Sequence, residues 1–220
     1  VGSEMCIRDR FFQTQWNRFP VSLDAPVFTL SHTIAGKGVL GSDYTYNHTE
    51  AGVQKRFWFS AFGYTDVILK AGKVWDKVPF PLLIMPNANL SYTIQPESYS
   101  LMNAMEFMND EYFSWDVTYF LNGWLFNRIP LLKKLKWREV LSCRGIYGNL
   151  SDKNNPEFSE GLFAFPAGST TMGHTPYVEV GVGIENILKV LRVDYVWRLT
   201  YRDLPNIDKS GLRISLHMTF

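Results

Sequence analysis

Cysteine is scarce in this 220-residue chain: Cys6 and Cys143 are the only two. A single thiol in the body of the chain builds neither a disulfide framework nor a thiolate metal cluster. Long apolar runs are missing too, with no stretch of about 18 consecutive apolar residues. That excludes a transmembrane helix but not a transmembrane β-barrel, whose strands alternate instead of reading as continuous apolar runs. Neither sign of charge is in excess, since 22 Lys and Arg face 21 Asp and Glu for a net charge of +1. No global field draws the chain to nucleic acid, and no nucleic-acid partner is expected. With 46% apolar and 20% charged residues the composition is that of a folding chain rather than a disordered tail. Catalytic signatures are also missing. His32, His48, His174 and His217 accompany no Gly-x-Ser-x-Gly or His-Glu-x-x-His pattern. Asp152, Asn154 and Asn155 lack the glycine and distal glutamate of a calcium loop. The expectation is a non-enzyme with no catalytic residue, cofactor or metal.

What is abundant is alternation. The chain closes on Gly211-Leu-Arg-Ile-Ser-Leu-His-Met-Thr-Phe220, with Leu212, Ile214, Leu216, Met218 and Phe220 on one face and Arg213, Ser215, His217 and Thr219 on the other. Ten residues at about 3.3 Å each, tilted by about 45°, cover the apolar band of an outer membrane, about 25 Å tall. Upstream, Val193, Tyr195, Trp197, Leu199 and Tyr201 oppose Arg192, Asp194, Arg198, Thr200 and Arg202, with Val196 the one apolar residue of that second set. Before them Val178, Val180, Val182 and Ile184 oppose Glu179, Gly181, Gly183 and Glu185. The apolar sets are expected to face lipid. Glu179, Glu185, Arg192, Asp194, Arg198, Arg202 and Arg213 are expected to face a polar lumen and to neutralise one another there.

Antiparallel neighbours must match polar face to polar face, so paired residue numbers in these strands sum to an odd value. A sum of 377 sets Glu179 against Arg198 and Glu185 against Arg192, whereas 379 would oppose Glu185 to Asp194; charge selects 377. For the last hairpin the same argument selects 413, with Thr200 opposite Arg213, over 411 and 415, which oppose Arg213 to an arginine.

Weaker alternation marks strands at Thr49 to Phe59 and Thr65 to Lys73, and composition marks others near Val27 to Ala35, Ala88 to Gln95, Tyr112 to Leu125 and Trp137 to Gly148. About ten strands are expected. Asn149 to Thr175 reads as a long polar loop, placed with Asp203 to Ser210 at one end of the strands, outside the cell. Asn127 to Lys136 and Asn186 to Leu191 fall at the other end, inside. Ile129 to Lys136 reads as a connector with solvated lysines or as a short amphipathic turn at a membrane surface. A soluble β-sandwich alternates in the same way, but long strands and flanking aromatic residues favour a barrel.

Thr175 to Asp203, Asn206 to Gly211, Phe126 to Val140 and Leu150 to Pro156 resemble the end of a Bacteroidetes-type outer-membrane family, an uncharacterised β-barrel domain that follows a carboxypeptidase-like regulatory domain. The resemblance spans Phe11 to Phe220. It implies an all-β, antiparallel transmembrane barrel, here its C-terminal part, in the outer membrane of a Gram-negative cell and without enzymatic activity. The terminal strand also resembles the signal by which such barrels are recognised for insertion, assigning that role to Gly211, Ile214, Leu216, Met218 and Phe220. Outer-membrane lipid, the barrel-assembly machinery and an unidentified solute or protein ligand are the expected partners, in a transport, assembly or surface-binding role. An outer-membrane hydrolase with loop-borne catalytic residues and a soluble sandwich adhesion module are the alternatives. Residues 1–10 match nothing downstream and read as translated sequencing adapter, leaving 11–220 as the barrel fragment.

Overall fold

Period-two alternation produces the expected ladders. In a computed structural model describing residues 11–13, 18–20, 25–38 and 43–216, ten strands are present: β1 (Phe11–Gln13), β2 (Arg18–Pro20), β3 (Val27–Ala35), β4 (Tyr46–Trp58), β5 (Tyr64–Val74), β6 (Glu111–Phe120), β7 (Arg138–Asn149), β8 (Tyr177–Ile187), β9 (Leu191–Arg198) and β10 (Ser210–Leu216). The one α-helix among the described residues, α1 (Pro130–Leu135), has six residues. No described helix is long and apolar enough to cross a membrane. β1 and β2 pair only with each other, while β3 to β10 form one antiparallel meander in chain order. This eight-stranded sheet is all-β and open. Its edges, β3 and β10, do not pair, so no closed barrel is formed.

The sheet is inverted relative to one that rests an apolar face on a core. Its aliphatic and aromatic face is exposed: Leu30 is 78% and Val182 50% accessible. From β5 to β10 the face of charged and small residues is buried or half-buried, with Glu179 at 2% and Arg198 at 1%, whereas β3 at the edge is exposed on both faces. The cover is the chain between β5 and β6, residues 75–110, which folds back over the polar face as a plug. It has little regular structure. Single bridges join Ile84 to Asn109, Ala88 to Tyr99, Thr93 to Ile214 and Phe107 to Thr170. The expected strand at Ala88 to Gln95 is thus an irregular part of this plug, its backbone bonded to Tyr99 and to the β10 edge. Two small apolar clusters, around Phe107 with Tyr177 and around Val78 with Met108, fix the plug near the long-loop end.

β8 and β9 adopt the 377 register from Glu179–Arg198 to Ile184–Val193, after which a bulge breaks it. Glu185 therefore does not oppose Arg192 in the ladder. It opposes Arg138 of β7, 3.9 Å away, while Arg192 forms a bidentate pair with Asp194 on its own strand at 2.6 and 2.9 Å. The 413 register is corrected. β9 and β10 pair with a sum of 407, placing Arg213 opposite Asp194. The parity argument survives, but β9 ends at Arg198, and the Thr200 hydroxyl instead accepts the Val178 amide at 2.9 Å.

Glycines on the polar face make room for these groups. A Cβ on Gly183 would lie 2.0 Å from Asp194 Oδ1. Gly183→Val is expected to displace Asp194 from Arg192 and to cost about 1–3 kcal/mol in denaturant unfolding. Gly173→Ala, which has open space around it, should cost nothing comparable, and equal losses would refute the packing argument.

The connectors segregate as expected. Residues 36–38, 43–45, 150–176 and 199–209 and the two ends of the plug lie at one end of the meander, and 59–63, 121–137 and 188–190 at the other.

Candidate functional site

The candidate site is the contact between plug and sheet, where five strands present charged side chains to residues 97–106. Glu179 on β8 accepts three hydrogen bonds, from the Ser100 amide at 2.9 Å, the Leu101 amide at 2.7 Å and the Tyr177 hydroxyl at 2.6 Å. Arg198 on β9 uses all five N–H donors. Two bond the Glu106 carboxylate at 2.5 and 3.1 Å, and three go to the carbonyls of Leu101, Thr200 and Tyr201. Its guanidinium also lies 4.7 Å from the Tyr177 ring centroid. Arg213 on β10 donates to the Ser100 carbonyl, Arg144 on β7 to that of Ser98 at 3.1 Å, and Lys70 on β5 reaches Glu97 at 2.5 Å. Glu179 and Arg198 stand opposite each other in the ladder, yet each turns to the plug. Charge-assisted bonds of this kind are the stronger class of hydrogen bond, and here they hold backbone groups that a mobile segment would leave to water.

Beside this contact a cavity of about 310 Å³ remains between the plug and β4 to β7. Glu50, Lys70, Glu97, Tyr112, Asp116 and Arg144 are among its lining residues. Tyr112 donates to Glu50 at 2.7 Å, and Arg144 Nε lies 2.9 Å from Asp116. Burial first, then the Asp116 and Glu179 carboxylates, raise the Tyr99 phenol well above its ordinary value, so it stays protonated and donates to the Gly145 carbonyl at 3.0 Å. Among the described residues no group of three or more His, Cys, Asp or Glu is placed to hold a metal ion.

A family model described as the C-terminal domain of a family of unknown function, DUF5686, matches residues 3–163, the greater part of the chain. The chain belongs to the DUF5686 family. No curated protein matches it. In this DUF5686 domain the matched stretch contains the plug and the strands through β7, and it ends in the loop before β8, short of Glu179, Arg198 and Arg213.

Of the seven charges expected to be inward, Glu179, Glu185, Arg192, Asp194, Arg198 and Arg213 are buried on the covered face. Arg202 is the exception, exposed in the turn after β9. Of the residues expected to face outward, Val178, Val180, Val182, Ile184, Val193, Tyr195 and Trp197 lie on the uncovered face of β8 and β9. Leu199 is exposed but lies beyond the strand. Tyr201 is corrected: the chain turns at a φ of +52°, and its ring packs 5.0 Å from Phe107 while its hydroxyl donates to the Thr175 carbonyl. Ile214 and Leu216 project from the exposed face of β10, and Gly211 lies on the covered face, close to Arg213. Met218 and Phe220 lie outside the described residues. The plug partners Glu97 and Glu106 went unread because they sit in a segment without periodicity.

Proposed function

We propose that this DUF5686 domain forms part of the wall of an outer-membrane β-barrel, with residues 75–110 as an internal plug, and that it works as a non-enzymatic binding, transport or assembly protein and not as an open pore. The inverted sheet carries this reading. An apolar face left exposed on seven or more strands is costly in water at about 25 cal/mol per Å², and in lipid it is the required surface. The buried charges fit the same reading, since a polar interior is general to such barrels. The test is fractionation of cells expressing the full-length protein, with gel mobility before and after heating, for the native sequence and for Phe220 deleted. Expected are outer-membrane partitioning, a compact fast-migrating form lost on heating, and dependence of both on Phe220. A soluble protein with a single mobility would return the sheet to a sandwich whose apolar face meets another sheet.

A further inference from the structure

The net charge of +1 conceals an axial separation. The connectors at the short-turn end, 59–63, 121–137 and 188–190, carry Arg128, Lys133, Lys134, Lys136 and Lys189 and no acidic residue. Those at the long-loop end, leaving out Glu97 and Glu106 that the plug carries onto the polar face, hold eight acidic residues against five basic ones. The basic end is also the apolar one. Leu131 on α1 is 76% exposed and Leu188 79%, and Phe59, Phe62, Trp124 and Ile129 are exposed beside them.

Contacts join these connectors to one another. Phe62 and Trp124 have ring centroids 6.0 Å apart, Arg128 lies 4.4 Å over the Trp124 ring, and Asn186 at the β8–β9 turn donates to the Lys136 carbonyl at 2.7 Å. α1 ends at Lys136 in the left-handed conformation, with Pro130 at its start, so its six residues are held as a single turn and a half. Apolar side chains interleaved with lysines and aromatic rings are what a helix lying in a headgroup layer requires.

We propose that the short-turn end is a basic apron that lies in the headgroup region of an anionic phospholipid leaflet, with Leu131, Ile129 and Trp124 dipping among the acyl chains and Lys133, Lys134 and Lys136 on lipid phosphates. The inference rests on the barrel reading, and it fixes which end of the wall meets the anionic leaflet. Charge complementarity selects the occupant: five cations with no acidic neighbour in those connectors suit a surface of like negative charges, and the exposed leucines need an apolar layer directly beneath it.

The test uses the full-length protein with its cysteines replaced by serine and Leu131→Cys, spin-labelled at position 131 and inserted into vesicles of phosphatidylcholine with or without phosphatidylglycerol. Heat-modifiable mobility reports insertion independently of the label. With phosphatidylglycerol the label is expected to be open to oxygen and shielded from a water-soluble nickel complex. A cation near an anionic surface counts for about fivefold in partitioning, so Lys133→Gln, Lys134→Gln and Lys136→Gln together should lower the label's membrane-to-water ratio by at least about tenfold. High salt should act in the same direction. An inserted protein whose label stays open to the nickel complex overturns the apron, as it would if the surface served an acidic protein partner. Equal depth in the two vesicle types overturns the anionic preference. Failure to insert overturns the barrel reading and the apron with it.

Discussion

Arg198→Met is expected to release the plug. The substitution leaves the buried Glu106 carboxylate without its bidentate partner and strips donors from the carbonyls of Leu101, Thr200 and Tyr201. Removing one member of a buried pair costs about 3–5 kcal/mol, because the other charge is then buried alone. Replacing both members by apolar residues costs much less, so adding Glu106→Leu to Arg198→Met should recover part of the loss. Hydrogen exchange at the Ser100 and Leu101 amides is the direct measurement, since these bond Glu179 just beside the altered pair. Protection should drop in the single variant and return in part in the double. Unchanged protection in Arg198→Met would mean that the charged cluster does not hold the plug.

The second large effect is expected on the opposite face. Val182 lies at the middle of β8, half exposed and on the aliphatic face. In water Val182→Arg would be a surface change, worth within about 0.5 kcal/mol either way. Facing the midplane of a bilayer, the same arginine costs about 2–4 kcal/mol. Unfolding from vesicles should therefore show a loss of that order, and folding yield should fall. A variant that folds into vesicles as well as the parent would show that this face does not meet lipid.

Much of the sheet was legible because a strand with one covered and one open face writes its polarity at every second residue. β3 was found at its own bounds, and charge matching gave the β8–β9 register, in which the Glu179–Arg198 pairing is present and the Glu185–Arg192 pairing is lost to the bulge. The β9–β10 register was missed for a specific reason. Alternation runs on through Thr200 and Arg202 after the strand has ended at Arg198, so charge matching was applied to residues that leave the sheet. The purpose of the inward charges was hidden at a different level. Their partners are largely main-chain groups, the amides of Ser100 and Leu101 and the carbonyls of Ser98, Ser100 and Leu101. Every residue but proline carries both groups, so such partners leave no mark in composition or spacing, and the plug that supplies them has no period of its own.

The bridge between Thr93 and Ile214 makes the plug and the sheet edge one mechanical element. Ile214 donates to the Tyr92 carbonyl at 2.8 Å and accepts from the Ile94 amide at 2.9 Å, which occupies both backbone groups of that residue on the edge of β10. Only Gln95 and Pro96 separate Ile94 from Glu97, where the charged contacts begin. Tension on the plug therefore reaches the edge of β10 through a very short tether. The two bonds at Ile214 can yield one after the other, whereas the three that Arg198 gives the plug hold Leu101 and Glu106 from one guanidinium, so a pull on the plug would part it from the edge of β10 before it parted it from Arg198.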